Sequence, residues 1–191
     1  MGEPDVVSLL TIAANRLASI RYSEATLDDI ASDAGLAVDD VLQVFPSMHM
    51  IGARILDHER LSMKRAQRNA FAEAEDPLTR LVLAFRAVGE NLANDIIVRA
   101  GVRIASESRE FFPERRLDPF KTWEGFATTQ MTDALASGAL PADVDVSKAV
   151  RTIVTKGMEA KDLLAARDAW DEAPELFERT VTDVLASLAS K

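Results

Sequence analysis

Cysteine is absent from this 191-residue chain, and histidine occurs only at His49 and His58. Without thiols, the chain can form neither a disulfide framework nor a thiolate metal site. The two histidines are nine residues apart on one predicted helix, and a rotation of about 100° per residue places them on opposite faces. They cannot bind one metal ion together, so we expect no metal and no other cofactor.

Glycine is scattered, and none of the eight glycines lies close to another. Phosphate-cradling loops and dinucleotide fingerprints need closely spaced glycines, so the sequence indicates neither. Acidic pairs such as Asp28 and Asp29, or Asp171 and Glu172, are adjacent in predicted helices or turns, where we expect them to be solvated. The sequence therefore favours a protein that is not an enzyme.

Long apolar runs are missing as well. No segment reaches the ~18 consecutive apolar residues that a membrane span requires, and the opening MGEPDVVSLL lacks the basic region of a signal peptide. Hydrophobic residues still make up 48% of the chain, which is enough to bury a core. We expect a globular, cytoplasmic protein with no membrane partner.

Apolar residues recur at helical spacing along most of the chain, and no segment shows the alternation of a strand. The sequence predicts an all-α fold of about nine helices, with a three-helix head over residues 1–47 and a linker helix and helical body over residues 48–191. The segment FFPERRLDP, residues 111–119, is predicted to be a mobile flap with exposed aromatics or a domain boundary. The predicted helices span residues 5–19, 26–34, 37–44, 47–74, 77–92, 95–108, 121–137, 147–170 and 174–188.

The stretch from Ala25 to Ser47 has the pattern of two short helices joined by a glycine turn. Thr26 stands where an N-cap belongs, and Asp29 follows three residues later in capping-box position. Gly35 supplies the turn. The pattern predicts a helix-turn-helix in which residues 37–44 form the groove-facing helix. The alternative is a structural αα-hairpin that does not bind DNA.

The segment from about Leu9 to Leu56 resembles the N-terminal domain of the TetR family. The resemblance rests on a first helix, the run ATLDDIASDAGL, and a short helix that closes on FPS before a long helix begins. It implies a homodimer that binds operator DNA through the head. The DNA-binding positions that we expect are Thr26, Leu27, Ala37, Val38, Gln43, Ser47 and His49.

The charges of the head depart from the pattern of that family. The chain carries a net charge of −9, and its predicted helix-turn-helix contains no Lys or Arg. The family usually has a basic residue in place of Asp28, a hydroxyl residue and often Lys in place of Ala37 and Val38, and Lys in place of Met48. Non-specific DNA affinity rests largely on phosphate contacts, so we expect operator affinity to be weak. The acidic residues of the motif are Asp28, Asp29, Asp33, Asp39 and Asp40.

Trp123 stands out in the predicted body. The run PFKTWEGFATTQMTDALASGAL, followed by a VRTIVTKGM helix, is similar to the γ-butyrolactone receptor branch of the TetR family. The resemblance implies that Trp123 lines a pocket for a small, apolar, lactone-type signal. From the residues alone, a large aromatic more often marks a core than a pocket, and that alternative stays open. The pocket residues that we expect are Phe85, Ile104, Trp123, Phe126 and Met158.

The last two predicted helices carry wide apolar faces. In the resembled family such a pair packs against its copy as a four-helix bundle. The alternative is an intramolecular hairpin, which the sequence alone favours equally. The interface residues that the dimer implies are Val154, Phe177, Val181, Val184, Leu185 and Leu188.

Two functions fit these observations. The first is a homodimeric transcriptional regulator that acts as a repressor and releases operator DNA when a γ-butyrolactone-like molecule enters the body. The alternative is a protein of the same fold with weakened or lost DNA binding, which acts by sequestering a signal or by pairing with a relative. The resemblance favours the first, and the acidic helix-turn-helix favours the second.

Overall fold

The computed structural model describes residues 5–189. Every regular element within that range is helical, which confirms the predicted all-α class. Three single 3₁₀ turns lie at Tyr22–Glu24, Pro113–Arg115 and Trp170–Glu172. The α-helices are α1 (Val6–Leu17), α2 (Leu27–Ala34), α3 (Val38–Val44), α4 (Met48–Glu73), α5 (Pro77–Asn94), α6 (Ile96–Phe111), α7 (Pro119–Ala136), α8 (Val146–Arg167) and α9 (Ala173–Ala189).

Local side-chain caps set several of the helix starts. A carboxylate of Asp5, Asp95, Asp118 or Asp145 accepts a hydrogen bond from a backbone N–H in the first turn of α1, α6, α7 or α8. Each such cap stabilises its helix by about 1 kcal/mol. These caps depend only on neighbouring residues, so the observed helix starts lie within two residues of the predicted ones.

The chain divides into two compact units. The first runs up to Ser62 and resumes over Asp95–Leu117, and the second comprises Met63–Asn94 and the chain from Asp118 onward. The division falls within α4. The first unit therefore contains residues 5–47 of the predicted head, together with α6 and the beginning of α4.

Helix α6 joins the first unit because its apolar face packs against α1. Ile104 of α6 lies in one core with Leu9 and Leu17 of α1. A polar contact reinforces this packing, since Arg103 Nε donates to the Ile20 carbonyl oxygen at 2.7 Å. The head and α6 thus share one core, in which α1 packs directly against a helix from much later in the chain.

The segment after α6 corrects one prediction. Phe112 is 0% exposed, and its ring lies 5.1 Å from that of Tyr22 and 4.7 Å from that of His49. Arg115 follows in the 3₁₀ turn and donates to Asp57 at 2.9 Å. The prediction of exposed aromatics was wrong. The charged residues and prolines around Phe112 are typical of a surface loop, but Phe112 itself is buried in the core. The alternative prediction of a boundary agrees with the end of the first unit at Leu117.

Helix α5 is central to the second unit and packs against both α9 and α7, while α8 packs against α7 and α9. Gly89 allows the close approach of α5 to the start of α9. A Cβ added at Gly89 would lie 2.4 Å from the carbonyl oxygen of Ala173, which leaves no room for a side chain. The apolar face of α9 is consequently buried inside one chain.

Candidate functional site

The predicted helix-turn-helix is built by local interactions. The Thr26 hydroxyl accepts from the Asp29 N–H at 3.2 Å, and the Asp29 carboxylate accepts from the Thr26 N–H at 2.9 Å, which completes a capping box. Gly35 ends α2 in the left-handed region at φ 65°, where a side chain is strained. Helix α3 begins without a side-chain cap, because the side chain of its N-cap residue, Ala37, has no hydrogen-bond acceptor.

Two of the acidic residues of the motif face α1. Arg16 donates to Asp33 through Nε at 2.6 Å and through Nη2 at 2.8 Å, and its Nη1 lies 3.5 Å from Asp29. Hydrogen bonds from Arg16 hold the pKa of Asp33 below its usual value. Those from Thr26 lower the pKa of Asp29. Both carboxylates are therefore ionised and held by intrachain partners.

The other three acidic residues of the motif have no such partner. Asp28 and Asp39 are exposed and Asp40 is half-buried. Within residues 5–189, no Lys or Arg side chain forms an ion pair with any of the three. The exposed surface of α2 and α3 is thus negative, and it repels phosphates.

The predicted DNA-binding residues lie on this part of the first unit. Thr26, Ala37, Gln43 and His49 are exposed, while Leu27, Val38 and Ser47 are half-buried. Several of these side chains already have intrachain roles. The Ser47 hydroxyl accepts from the Met50 N–H at 3.2 Å, and His49 Nε2 lies 3.2 Å from Glu114 Oε1. Gln43 is exposed, and its amide can both donate and accept hydrogen bonds.

Three predicted pocket residues form a continuous aromatic cluster in the second unit. The ring of Trp123 lies 5.3 Å from that of Phe85 and 5.8 Å from that of Phe126. Phe126 in turn lies 6.1 Å from Phe71, which the sequence reasoning missed. Phe85 is buried, Trp123 and Phe126 are half-buried, and Phe71 is 47% exposed. Edge-to-face packing of this kind joins the four rings into one apolar surface.

The other two predicted pocket residues lie elsewhere or at the margin of this cluster. Met158 is half-buried and follows Gly157, where an added Cβ would lie 3.4 Å from the Phe85 ring. Ile104 is 1% exposed and belongs to the core of the first unit. The structure therefore brings Phe85, Trp123 and Phe126 together and assigns Ile104 to a different core.

Gln130 is a second residue of the body that the sequence reasoning missed. Its side chain is 0% exposed, and neither its Nε2 nor its Oε1 atom has a hydrogen-bond partner. Its spacing could have indicated burial, because Gln130 follows Trp123 by seven residues within an otherwise apolar stripe. Buried amides are paired in the great majority of proteins, so this one requires an explanation.

An open groove of about 400 Å³ lies between α7 and α8. Its lining is mixed in character and contains none of the predicted pocket residues. The lining residues are Glu124, Thr128, Val146, Ser147, Val150 and Arg151. The groove is thus separate in composition from the aromatic cluster around Trp123.

The predicted dimer stripe is largely buried within one chain. Val154, Phe177, Val181 and Val184 are each at most 6% exposed, because α9 packs against α5 and α8. These four predicted interface residues are therefore covered by packing within one chain. Leu185 and Leu188 are half-buried and retain surface, and Leu163 of α8 is 43% exposed.

The described residues hold no group of three or more side chains that could bind a metal ion. His58 Nε2 instead lies 2.6 Å from Asp95 Oδ2. Across the same part of the chain, no helix is both long enough and apolar enough to cross a membrane.

Comparisons with known proteins agree with this architecture. No protein-family model matches the sequence, and no curated protein matches it. Solved structures do match over nearly the whole chain. A γ-butyrolactone receptor described as ArpA-like is 21% identical with a TM-score of 0.74, and the match covers 96% of each chain.

Two further solved structures show the same likeness. The ketosteroid transcriptional regulator KstR2 of Mycobacterium tuberculosis is 18% identical with a TM-score of 0.75, and the match covers 98% of this chain and 96% of that one. The TetR-family regulator PfmR of Thermus thermophilus is 17% identical with a TM-score of 0.72, over 93% of this chain and 97% of that one. All three neighbours are named as receptors or regulators and none as an enzyme. The chain has the fold of TetR-family transcriptional regulators.

Proposed function

We propose that this chain is a homodimeric, cytoplasmic transcriptional regulator that binds operator DNA weakly and releases it when a small apolar molecule enters the second unit. The observation that carries the proposal is the capped helix-turn-helix of α2 and α3, with its left-handed turn at Gly35. In the same chain, the second unit holds an aromatic cluster of the kind that lines ligand pockets.

The proposed DNA-binding surface comprises the exposed face of α3 and the start of α4. Gln43 supplies base readout, and Thr26 and Ser47 supply phosphate contacts together with nearby helix N-termini. No basic side chain contributes within α2 or α3. Because counterion release from phosphates gives most non-specific affinity, binding is weak and depends little on salt.

The proposed ligand site is the cluster of Phe71, Phe85, Trp123 and Phe126. Trp123 and Phe126 are partly exposed while Phe85 is buried, so the cluster connects the surface with the interior of the second unit. Two structural neighbours are named for a γ-butyrolactone and a ketosteroid, which are small molecules with apolar bodies. These names support a small apolar signal, with a γ-butyrolactone-like molecule as the first candidate.

The proposed dimer uses the faces of α8 and α9 that remain accessible. Leu163, Leu185 and Leu188 supply apolar surface there, whereas the buried stripe of α9 stabilises each chain on its own. A dimer matches operator half-sites about 34–36 Å apart. A ligand that favours a different spacing of the two heads lowers operator affinity by shifting the population.

The second candidate function is signal sequestration without DNA binding, or pairing with a DNA-binding relative. The observation that favours it is the negative surface of α2 and α3, where Asp28, Asp39 and Asp40 have no ion-pair partner within the described residues. These three negative charges repel the DNA phosphates and so oppose DNA binding. The repulsion persists until a high salt concentration screens it.

Selection from a pool of random DNA duplexes at about 50 mM salt distinguishes the two functions. The regulator predicts enrichment of a two-fold symmetric motif whose half-sites are separated by about one helical turn. A Gln43→Ala variant then loses the preference for that motif while remaining folded. If no duplex is enriched by the unmodified protein, the first function is wrong and sequestration becomes the better account.

A further inference from the structure

Gln130 occupies a defined place relative to the aromatic cluster. It lies four residues after Phe126 and seven after Trp123 on α7. Rotations of about 100° per residue place all three on one face of the helix, and a rise of 1.5 Å per residue places Gln130 about 10 Å beyond Trp123 along the axis. The face therefore runs from two half-buried aromatic rings to one fully buried amide.

The surroundings of this amide on its own helix are apolar. The other buried side chains described on α7 are those of Ala127, Met131 and Ala134. The amide can accept through Oε1 and donate through Nε2, yet it has no partner for either atom. An apolar side chain of similar length would fill the same volume without leaving two polar atoms unpaired, so core packing alone does not account for a glutamine here.

We propose that Gln130 is the polar anchor of the ligand site, and that the ligand is a neutral molecule whose head group carries a hydrogen-bond donor beside an acceptor. A carboxamide or a hydroxy-carbonyl group has this pattern. The apolar part of the ligand extends about 10 Å from Gln130 past Phe126 to Trp123. This inference rests on the proposed function, because it specifies the chemistry of the same site.

The neutrality of the ligand follows from the charge of the site. A carboxylate placed against Gln130 would be desolvated, and the buried residues of α7 offer no cation to compensate it. A head group with only an acceptor would leave the acceptor oxygen of the amide unpaired. The site therefore selects against fatty-acid anions and against esters or lactones that carry no donor beside the carbonyl. It selects for head groups that satisfy both amide atoms, and a γ-butyrolactone-like ligand meets this requirement when a hydroxyl group lies beside its carbonyl.

Three octyl probes separate these possibilities: octanamide, methyl octanoate and octanoate. Binding is measured by tryptophan fluorescence in a Trp170→Phe background, which leaves Trp123 as the reporter, and by calorimetry. In the chain with Gln130 intact, octanamide is expected to bind about tenfold or more tightly than methyl octanoate, with octanoate the weakest. Gln130→Met is expected to weaken octanamide to the level of the ester and to leave the ester within about twofold.

Two further variants keep the test decisive. Gln130→Leu repeats the experiment if the methionine variant does not fold. Thr180→Val is the matched control, because Thr180 is a buried polar residue of the same unit whose hydroxyl donates to the Phe177 carbonyl at 2.7 Å. Binding of all three probes to Thr180→Val is expected to match that of the parent chain.

The outcomes distinguish failure of this inference from failure of the proposed function. If octanamide and the ester bind equally and Gln130→Met changes neither, Gln130 is only a buried amide, and the apolar ligand site survives. If no probe binds to the parent chain, both the anchor and the proposed ligand site are overturned.

Discussion

Arg16 of α1 holds Asp33 of α2 through two hydrogen bonds of 2.6 and 2.8 Å. Asp33 lies near the C-terminal end of α2, where the helix dipole disfavours a negative charge. The Arg16 guanidinium offsets the negative charge of Asp33 and holds its carboxylate against α1. Of the five acidic residues in the motif, only Asp28, Asp39 and Asp40 therefore contribute an uncompensated negative surface.

Arg16→Met is expected to reduce the pH dependence of stability in the acid range. Hydrogen bonds from Arg16 lower the pKa of Asp33, so the ionised form of Asp33 stabilises the folded state above about pH 4, and this stabilisation is lost as the pH falls through the lowered value. Thermal denaturation between about pH 2 and pH 7 measures the effect. The exposed Arg68→Met serves as control, and an unchanged acid profile in Arg16→Met would contradict the pairing.

Glu59 gives the stability of the fold a pH dependence opposite in sign to that of Asp33. It packs against Gly101, where an added Cβ would lie 2.4 Å from the Glu59 Cβ, and burial raises the pKa of its carboxyl group to about 7. The protonated form stabilises the folded state at low pH, and this stability is lost as the pH rises through about 7. Glu59→Gln is expected to stabilise the chain at about pH 8.5 by roughly 1–3 kcal/mol and to change it little at about pH 4.

Urea denaturation at both pH values tests this expectation. Glu73→Gln, at an exposed position of the same helix, controls for the loss of one negative charge. Equal stabilisation of both variants at high pH would show that net charge, and not the burial of Glu59, is responsible.

Gly89 and Gly125 form a matched pair in the second unit. Alanine at Gly89 would place its Cβ 2.4 Å from the Ala173 carbonyl oxygen, whereas alanine at Gly125 meets nothing within 4 Å. Gly89→Ala is expected to lower the free energy of unfolding by about 1–3 kcal/mol. Gly125→Ala is expected to raise it by about 0.5–1 kcal/mol through helix propensity. Chemical denaturation of both variants checks the close packing of α5 on α9.

Leu163→Glu is expected to convert the proposed dimer into a folded monomer, because Leu163 is 43% exposed on α8. Val181→Glu is expected instead to unfold the chain, since Val181 is 0% exposed and a charge there would be buried without a partner. Sedimentation velocity with circular dichroism separates the two effects. A parent chain that sediments as a monomer at micromolar concentration would refute the proposed dimer.

The sequence was sufficient to predict the helices, since their ends depend on near neighbours. Thr26, Gly35 and Asp95 act within four residues of their own positions. The packing partners depended on distant parts of the chain and were not readable from periodicity. Phe112 is buried beside Tyr22, and Val181 is buried by packing within one chain. An apolar stripe specifies that a face is covered, without specifying what covers it.

The candidate site was predicted only in part, because some of its contacts are local in the sequence and others depend on packing between distant segments. Trp123 and Phe126 share one helix, so their proximity follows from spacing, and Phe85 was expected to line the same pocket from another helix. Ile104 carries an equally apolar pattern, but it belongs to the core of the first unit. The unpaired amide of Gln130 could not be predicted, because whether a polar side chain has a partner depends on the packed structure.

We propose that the head binds DNA weakly because its phosphate-facing positions lack basic residues. The affinity for a selected duplex is therefore measured as a function of salt, for the parent chain and for a variant with Val38→Lys, Asp39→Gly and Met48→Lys. We expect the variant to bind more than about tenfold tighter and to show a salt slope steeper by roughly 0.9 per added phosphate contact. Nanomolar binding by the parent chain at physiological salt with a steep slope, or a variant that binds no tighter, would contradict the account.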